Sequence, residues 1–292
     1  MNKQEKKPTT SPAGHRLELL KEFDKRGFVI VKDALSGEQL SALNRAVDDN
    51  LGTHPREWVT FDESFITTMT ALSSTPEFDC TIENPSTLGI LRALIGNEIT
   101  FEEFEIIIRN PSNRNRDLKG WHRDLIRDYN RRLEITYISL VYYLTDVSEE
   151  DHCLSIIPET HNRLVDLRPE EVLPGMEVDV IGPAGTAVIF HGRCIHSGKL
   201  KPRSRQRRSL HVYYDRADRP RTTEWTDIPK RLYEKVDPSL PPQLYSKWNV
   251  KEFIDGVGRK PKNLDPSMSA ADMLREVHKQ AQAREDKNRV DG

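Results

Sequence analysis

Apolar and polar positions along the chain fall into two textures, and the change comes near Ile99. Before it the period is helical. In "HRLELLKEFDKRG" the residues Leu17, Leu19, Leu20 and Phe23 recur near helical spacing, and Gly27 supplies a stop. "FVIV" then reads as a short buried strand. "SGEQLSALNRAVDDNLG" predicts a second helix, with Ser36 as N-cap and Leu40, Leu43 and Val47 turned inward. "NPSTLGILRALIG" predicts a third, with Asn84 as cap and Pro85 at the first helical position. From Ile99 onward the runs shorten and become rich in β-formers. "ITFEEFEIII", "EITYISLVYYL", "LSIIP", "TAVIF" and "RSLHVYY" are separated by Pro, Gly, Asp and Asn turns. Several such strands in series predict an antiparallel sandwich or barrel. The chain is expected to be mainly β with flanking helices, its core spanning about residues 99–215. Residues 1–14 lack an apolar period and are expected to form a disordered tail. Residues 15–292 are expected to form one domain. Its Pro- and Lys-rich extension, 216–292, would end in a helix at "SMSAADMLREVHKQAQARE".

At 292 residues the chain is long enough to bury a sizeable core. Hydrophobic residues make up 36% and charged residues 31%, which predicts a soluble protein with a heavily solvated surface. The formal net charge of −2 argues against a nucleic-acid partner. No run approaches the length of a membrane span, so no membrane partner is expected. Cys80, Cys153 and Cys194 lie far apart and are odd in number, which suggests reduced thiols and a cytoplasmic location.

The candidate chemistry begins at "KGWHRDLIRDYN", which places His122 and Asp124 two residues apart. Ordinary composition yields about 0.7 such pairs by chance, so the pair needs company. On a strand, residues i and i+2 share a face. Two imidazoles and one carboxylate on one face suit a non-haem Fe(II) centre, which leaves three coordination positions open. The third ligand would come from His152, His161, His191, His196 or His211. His196 fits best, because its strand closes onto Ser197 and Gly198; His191 is the rival. In "RSRQRRSLHVYY", alternation puts Leu210, Val212 and Tyr214 on an apolar side. Arg207, Ser209, His211 and Tyr213 form a polar side, as in the interior of a small barrel that holds a charged ligand. Arg207 and Ser209 would clamp a carboxylate; Arg208 would instead share the apolar face. The same parity groups Thr136, Ile138 and Leu140 against Tyr137, Ser139, Val141 and Tyr143. Tyr137 and Ser139 then become lumen residues near a cofactor.

Taken in order, "GWHRD", "LTDVSEEDHCLSIIPETH" and "FHGRCIHSGKLKPRSRQRRSLHVYY" resemble the phytanoyl-CoA dioxygenase family of Fe(II)/2-oxoglutarate oxygenases. The resemblance runs from about Gly27 to Tyr214. It implies a double-stranded β-helix, the jelly-roll or cupin-like core, with His122, Asp124 and His196 on iron. It also implies that Arg207 binds the C5 carboxylate of 2-oxoglutarate. "PETH" stands where the family carries Pro-Gly-Ser-His, and "EDH" where it carries Glu-Asn-Gly; both changes fall on substrate-side loops. The implied reaction converts 2-oxoglutarate and O2 to succinate and CO2 while hydroxylating a C–H bond of a small molecule. Desaturation, cyclisation or epoxidation are the alternative outcomes. Related halogenases carry Ala or Gly at the position of Asp124, so hydroxylation is favoured over halogenation. A cupin-like zinc hydrolase or isomerase would leave Arg207 and Ser209 without a role. A non-catalytic small-acid-binding module would leave the ligand set without one. Substrate contacts are expected from Trp121, Arg109, Lys119, Arg123, His211 and Tyr213, the basic members suiting an anionic group.

Overall fold

The computed structural model describes residues 12–112, 120–124, 135, 137–162, 167–219 and 228–246, together with Asp272, Arg275, Glu276 and Lys279. Lys119 and Thr136 lie outside the described residues. So do residues 1–11 of the expected tail and most of the expected final helix.

Helix α1 (Pro12–Arg26) begins within the stretch expected to be a tail. It leads into strand β1 (Phe28–Val31) through Gly27, whose φ of +83° lets the chain turn sharply. Helix α2 (Gly37–Thr53) starts on the expected cap: the Ser36 hydroxyl accepts from the Gln39 amide and the Gln39 side chain accepts from the Ser36 amide. Two short strands follow, β2 (Val59–Asp62) and β3 (Phe65–Thr68), then the single turns α3 (Ala71–Ser74) and α4 (Asp79–Ile82). Helix α5 (Pro85–Ile95) is capped by Asn84, which accepts from the Ser86 amide. The remaining strands are β4 (Ile99–Arg109), β5 (Tyr137–Tyr143), β6 (Cys153–Ile156), β7 (Val178–Val180), β8 (Ala187–His191), β9 (His196–Lys199) and β10 (Arg207–Arg216). A short turn, α6 (Lys230–Tyr233), follows them. No described helix is long and apolar enough to cross a membrane.

The strands form two antiparallel sheets, a large one in the order β1-β8-β5-β10-β4-β3-β2 and a small one in the order β7-β6-β9. This is the mainly β, helix-flanked architecture the sequence predicts. The hairpin β2–β3 and the strand β7 are additions. Each is only three or four residues long, and a pattern so short carries no readable period until a neighbour pairs with it.

The core lies in two layers, and alternation decides which residue enters which. Leu210, Val212 and Tyr214 of β10 join Ile138, Leu140, Tyr142, Phe104, Ile106 and Ile108 against Phe23, Leu43, Val47 and Leu91 of the helices. The opposite face of the large sheet contributes Val141, Tyr143, Val188 and Phe190, which meet Cys153, Leu154, Ile156 and Val180 of the small sheet. Burying each of these larger side chains is worth roughly 1.5–3 kcal/mol. The polar row of β10 therefore faces the space between the sheets.

Candidate metal centre

An isolated antiparallel bridge builds this site. The His122 amide donates to the His196 carbonyl at 3.1 Å, and the His196 amide donates back at 3.0 Å. The exchange sets the two imidazoles side by side, ring centroids 4.3 Å apart. Gly120, at φ +107°, admits a turn that L side chains resist, and its carbonyl lies 2.8 Å from His122 Nδ1. His196 Nδ1 is likewise 3.0 Å from the Cys194 carbonyl. Both Nδ1 atoms donate to these oxygens, so in the neutral imidazoles it is Nε2 that presents a lone pair to a common point.

Asp124 completes the cluster. Its Oδ1 lies 3.4 Å from His196 Nε2 and 3.6 Å from His122 Nε2, and its Oδ2 accepts from the Ser139 hydroxyl at 2.5 Å. The three ligand atoms all fall within 4.8 Å of one another, the one such group among the described residues. Neighbouring ligands about 2.1 Å from a shared ion stand about 3 Å apart, so small inward shifts would close the site on a metal. Burial pushes the Asp124 carboxyl up, but His196, His122 and the Ser139 hydroxyl outweigh it and hold the group at about 2. It is a carboxylate ready to ligate. The site is open on one side: the His122 side chain is 57% exposed and that of His196 only 7%. Phe190 closes the inner side, its ring 4.7 Å from that of His196.

Arg207 is buried in the polar row, and its Nε makes no hydrogen bond. A buried guanidinium with one N–H unpartnered favours an anion as its partner. Ser209 sits next in the row, its hydroxyl 3.0 Å from His211 Nε2. Burial, then the nearby Arg207 charge, push the His211 imidazole down to about 3, so it is neutral. Tyr137 and Tyr213 face each other across the row, ring centroids 5.8 Å apart. Trp121 is half-buried beside His122.

The rival histidines lie elsewhere. His191 stacks on Phe23, and its Nδ1 accepts from the Arg193 amide. His152 Nδ1 accepts from the Lys201 amide, leaving Nε2 to donate to the Asn110 carbonyl. His161 Nε2 reaches the Asp24 carbonyl. Each is held by partners outside the cluster. Arg123 points away from the row, its guanidinium donating to the carbonyls of Arg193, Thr160 and Leu167. Arg109 pairs in register with Arg207, and its guanidinium lies 3.6 Å over the Phe65 ring. Arg208 donates to Gln206 and pairs with Asp48, outside the row.

Sequence reasoning missed Glu105. It stands opposite His211 in the β10–β4 register and so shares the lumen face. Its carboxylate is enclosed by protein yet keeps some accessible surface, as a side chain lining an internal space does. The Thr67 hydroxyl is 2.6 Å from Glu105 Oε1 and 2.7 Å from the Ile106 carbonyl. One hydroxyl proton serves only one of these acceptors, so a protonated Glu105 satisfies both contacts. Burial and the charge of Asp124 push its pKa up to about 7, against the pull of Thr67 and Arg109. The available signal was a glutamate between the apolar positions Phe104 and Ile106. It was obscured because the register shifts between Tyr213 and Tyr214, which puts Phe101 and Phe104 on one face despite their odd spacing.

The family model for phytanoyl-CoA dioxygenase (PhyH) matches residues 23–209. No curated protein matches the sequence significantly. Among solved structures the chain is similar to SnoN, a non-heme alpha ketoglutarate dependent epimerase from nogalamycin biosynthesis. Identity is 19%, with 71% of this chain and 82% of that one covered at a TM-score of 0.57. It is also similar to the non-heme alpha ketoglutarate dependent carbocyclase SnoK, at 22% identity, 72% and 85% coverage and a TM-score of 0.57. A third is AviO1 from Streptomyces viridochromogenes Tue57, at 19% identity, 70% and 96% coverage and a TM-score of 0.57. SnoN has also been solved in complex with Fe3+, alpha ketoglutarate and nogalamycin RO. These likenesses establish the jelly-roll fold. The family match spans more than half of the chain and takes in His122, Asp124, His196 and Arg207. The chain belongs to the phytanoyl-CoA dioxygenase family and is an Fe(II)- and 2-oxoglutarate-dependent oxygenase.

Proposed function

We propose that His122, Asp124 and His196 hold Fe(II), that Arg207 with Ser209 holds the distal carboxylate of 2-oxoglutarate, and that the enzyme hydroxylates a C–H bond of a small metabolite. One observation carries this reading. A three-ligand cluster and a buried guanidinium with an unpartnered Nε face the same space between two sheets. When bound, ferrous iron with 2-oxoglutarate supplies the oxidising power, converting O2 and the oxoacid to succinate and CO2.

The chain's own residues prepare that chemistry. The carbonyls of Gly120 and Cys194 fix both imidazole tautomers, and Ser139 fixes the carboxylate. Neutral His211 orients Ser209 without adding a second cation beside Arg207. Tyr137 and Tyr213 form an aromatic wall that keeps water from the reacting carbon, and Trp121 flanks the open side at His122. Arg109 is the described residue that would serve an anionic substrate group. The unpaired Cys80, Cys153 and Cys194 support a reducing, cytoplasmic setting.

Anaerobic titration with Fe(II) and 2-oxoglutarate should produce a weak visible charge-transfer band, absent in Asp124→Ala and in His196→Ala. Survival of the band in both variants would overturn the ligand assignment. Product mass then separates the outcomes. Hydroxylation and epoxidation each add one oxygen and are told apart by the loss of an alkene; ring closure or desaturation removes two hydrogens; epimerisation, the reaction named for SnoN, leaves the mass unchanged.

A further inference from the structure

We propose that Glu105 is the substrate-recognition carboxylate and that the substrate carries an amine, held there as an ammonium group. The inference rests on the cofactor assignment just made. In that assignment Fe(II), Asp124, 2-oxoglutarate and Arg207 cancel one another in charge. Glu105 lies outside this balanced set yet faces the same space, opposite His211. Its hydrogen-bonding partner is the Thr67 hydroxyl on Oε1, and no described Lys or Arg pairs with it. Arg109, four residues along the same strand face, stacks on Phe65 and attracts the Glu105 charge without contacting its carboxylate. Asp124 adds a like charge from the iron side.

A carboxylate enclosed by protein with its nearest described cation out of contact is unfavourable, and a ligand that brings an ammonium group against it removes the penalty. An ammonium group supplies three donors. One can reach the open Oε2, where the single proton of a hydroxyl would leave the charge uncompensated. The neighbouring phenols Tyr213 and Tyr137 give the rest of such a substrate an aromatic surface, favourable for a cation as well. Glu105 is a specificity residue, since the oxidation proceeds on carbon beside it.

The test uses the full chain with Fe(II) and 2-oxoglutarate. A panel of primary amines of increasing chain length is compared with the N-acetyl derivative of each. Binding is measured by anaerobic calorimetry and turnover by succinate release in air. Amines should bind and stimulate succinate release, and their acetylated partners should bind roughly tenfold or more weakly. Glu105→Gln should abolish the difference within each pair, mainly through KM, and Glu105→Asp should restore part of it. Glu105→Lys should turn the preference toward carboxylic acids, a change that a purely structural role would not produce. Equal binding within pairs, a preference that survives in Glu105→Gln, or a panel in which no amine binds would each overturn the assignment. The charge-transfer band keeps the two readings apart. An intact band without amine preference removes only the role of Glu105. A missing band removes the cofactor assignment beneath it.

Discussion

At the scale of single residues, the proposed centre depends on side chains outside its three candidate ligands. Ser139 is the clearest. Its hydroxyl holds Asp124 Oδ2 at 2.5 Å and so leaves Oδ1 facing the two imidazoles. Ser139→Ala should weaken Fe(II) binding about 10- to 100-fold without unfolding the protein, as read by competition with a chelator. Unchanged affinity would show that Asp124 is oriented by the fold alone. Glu105 makes a pH prediction for the metal-free protein. Its folded pKa of about 7 lies above the ordinary 4.5, because burial and Asp124 disfavour the charge. Between those values the folded state binds more protons than the unfolded one. The stability contributed by the neutral group is complete below about pH 4.5 and is lost as pH rises through 7. Glu105→Gln lacks this loss. Urea unfolding should find the variant and the parent sharing one pH trend at acid pH, with the variant gaining up to about 3 kcal/mol on the parent by pH 8.

At the scale of elements, close approaches between segments position the site. α1 meets β1 at Gly27, where an added Cβ would come within 2.4 Å of His161 Nδ1 and 2.5 Å of Cys194 Sγ. The residue also sits at φ +83°. Gly27→Ala should therefore cost roughly 2–4 kcal/mol in thermal or chemical unfolding. It should also disturb iron binding, since Cys194 precedes the proposed ligand His196 by two residues and orients it through its carbonyl. A fully stable variant would mean that His161 swings aside without consequence. Helices α2 and α5 were readable from their caps, because a Ser or Asn before an apolar stripe satisfies backbone donors locally. The hairpin β2–β3 was not. Its role appears only when β3 pairs with β4 and brings Thr67 to Glu105.

At the scale of the whole molecule, the described part of the C-terminal extension belongs to the core. The Phe101 amide donates to the Leu244 carbonyl, Arg231 pairs with Asp79, and Leu232, Leu244 and Tyr245 are buried among the helices and the large sheet. Leu244→Ala should cost about 2–4 kcal/mol, measured by denaturant unfolding followed at the shared transition of the whole chain. A separate, earlier transition would show that the extension unfolds by itself and would divide the domain proposed for 15–292. Composition gave no hint of this packing. The extension is rich in charged residues and prolines, and its described part is fastened by buried Leu232, Leu244 and Tyr245 with Ile228, Tyr233 and Leu240 packed beside them.

The sequence by itself determined the alternation of the strands. It thereby fixed which residues of β5 and β10 face the lumen, because the side-chain period of a strand is a local property. It also carried the ligand types, since His, Asp and Arg are chemistry before they are structure. Only the tertiary structure decided that His196 rather than His191 stands beside His122, that Arg123 serves loop carbonyls, and that Glu105 meets the Thr67 hydroxyl on the lumen face. Each of these depends on the register between segments far apart in the chain. Register is set by packing and backbone pairing across the fold, and no local period encodes it.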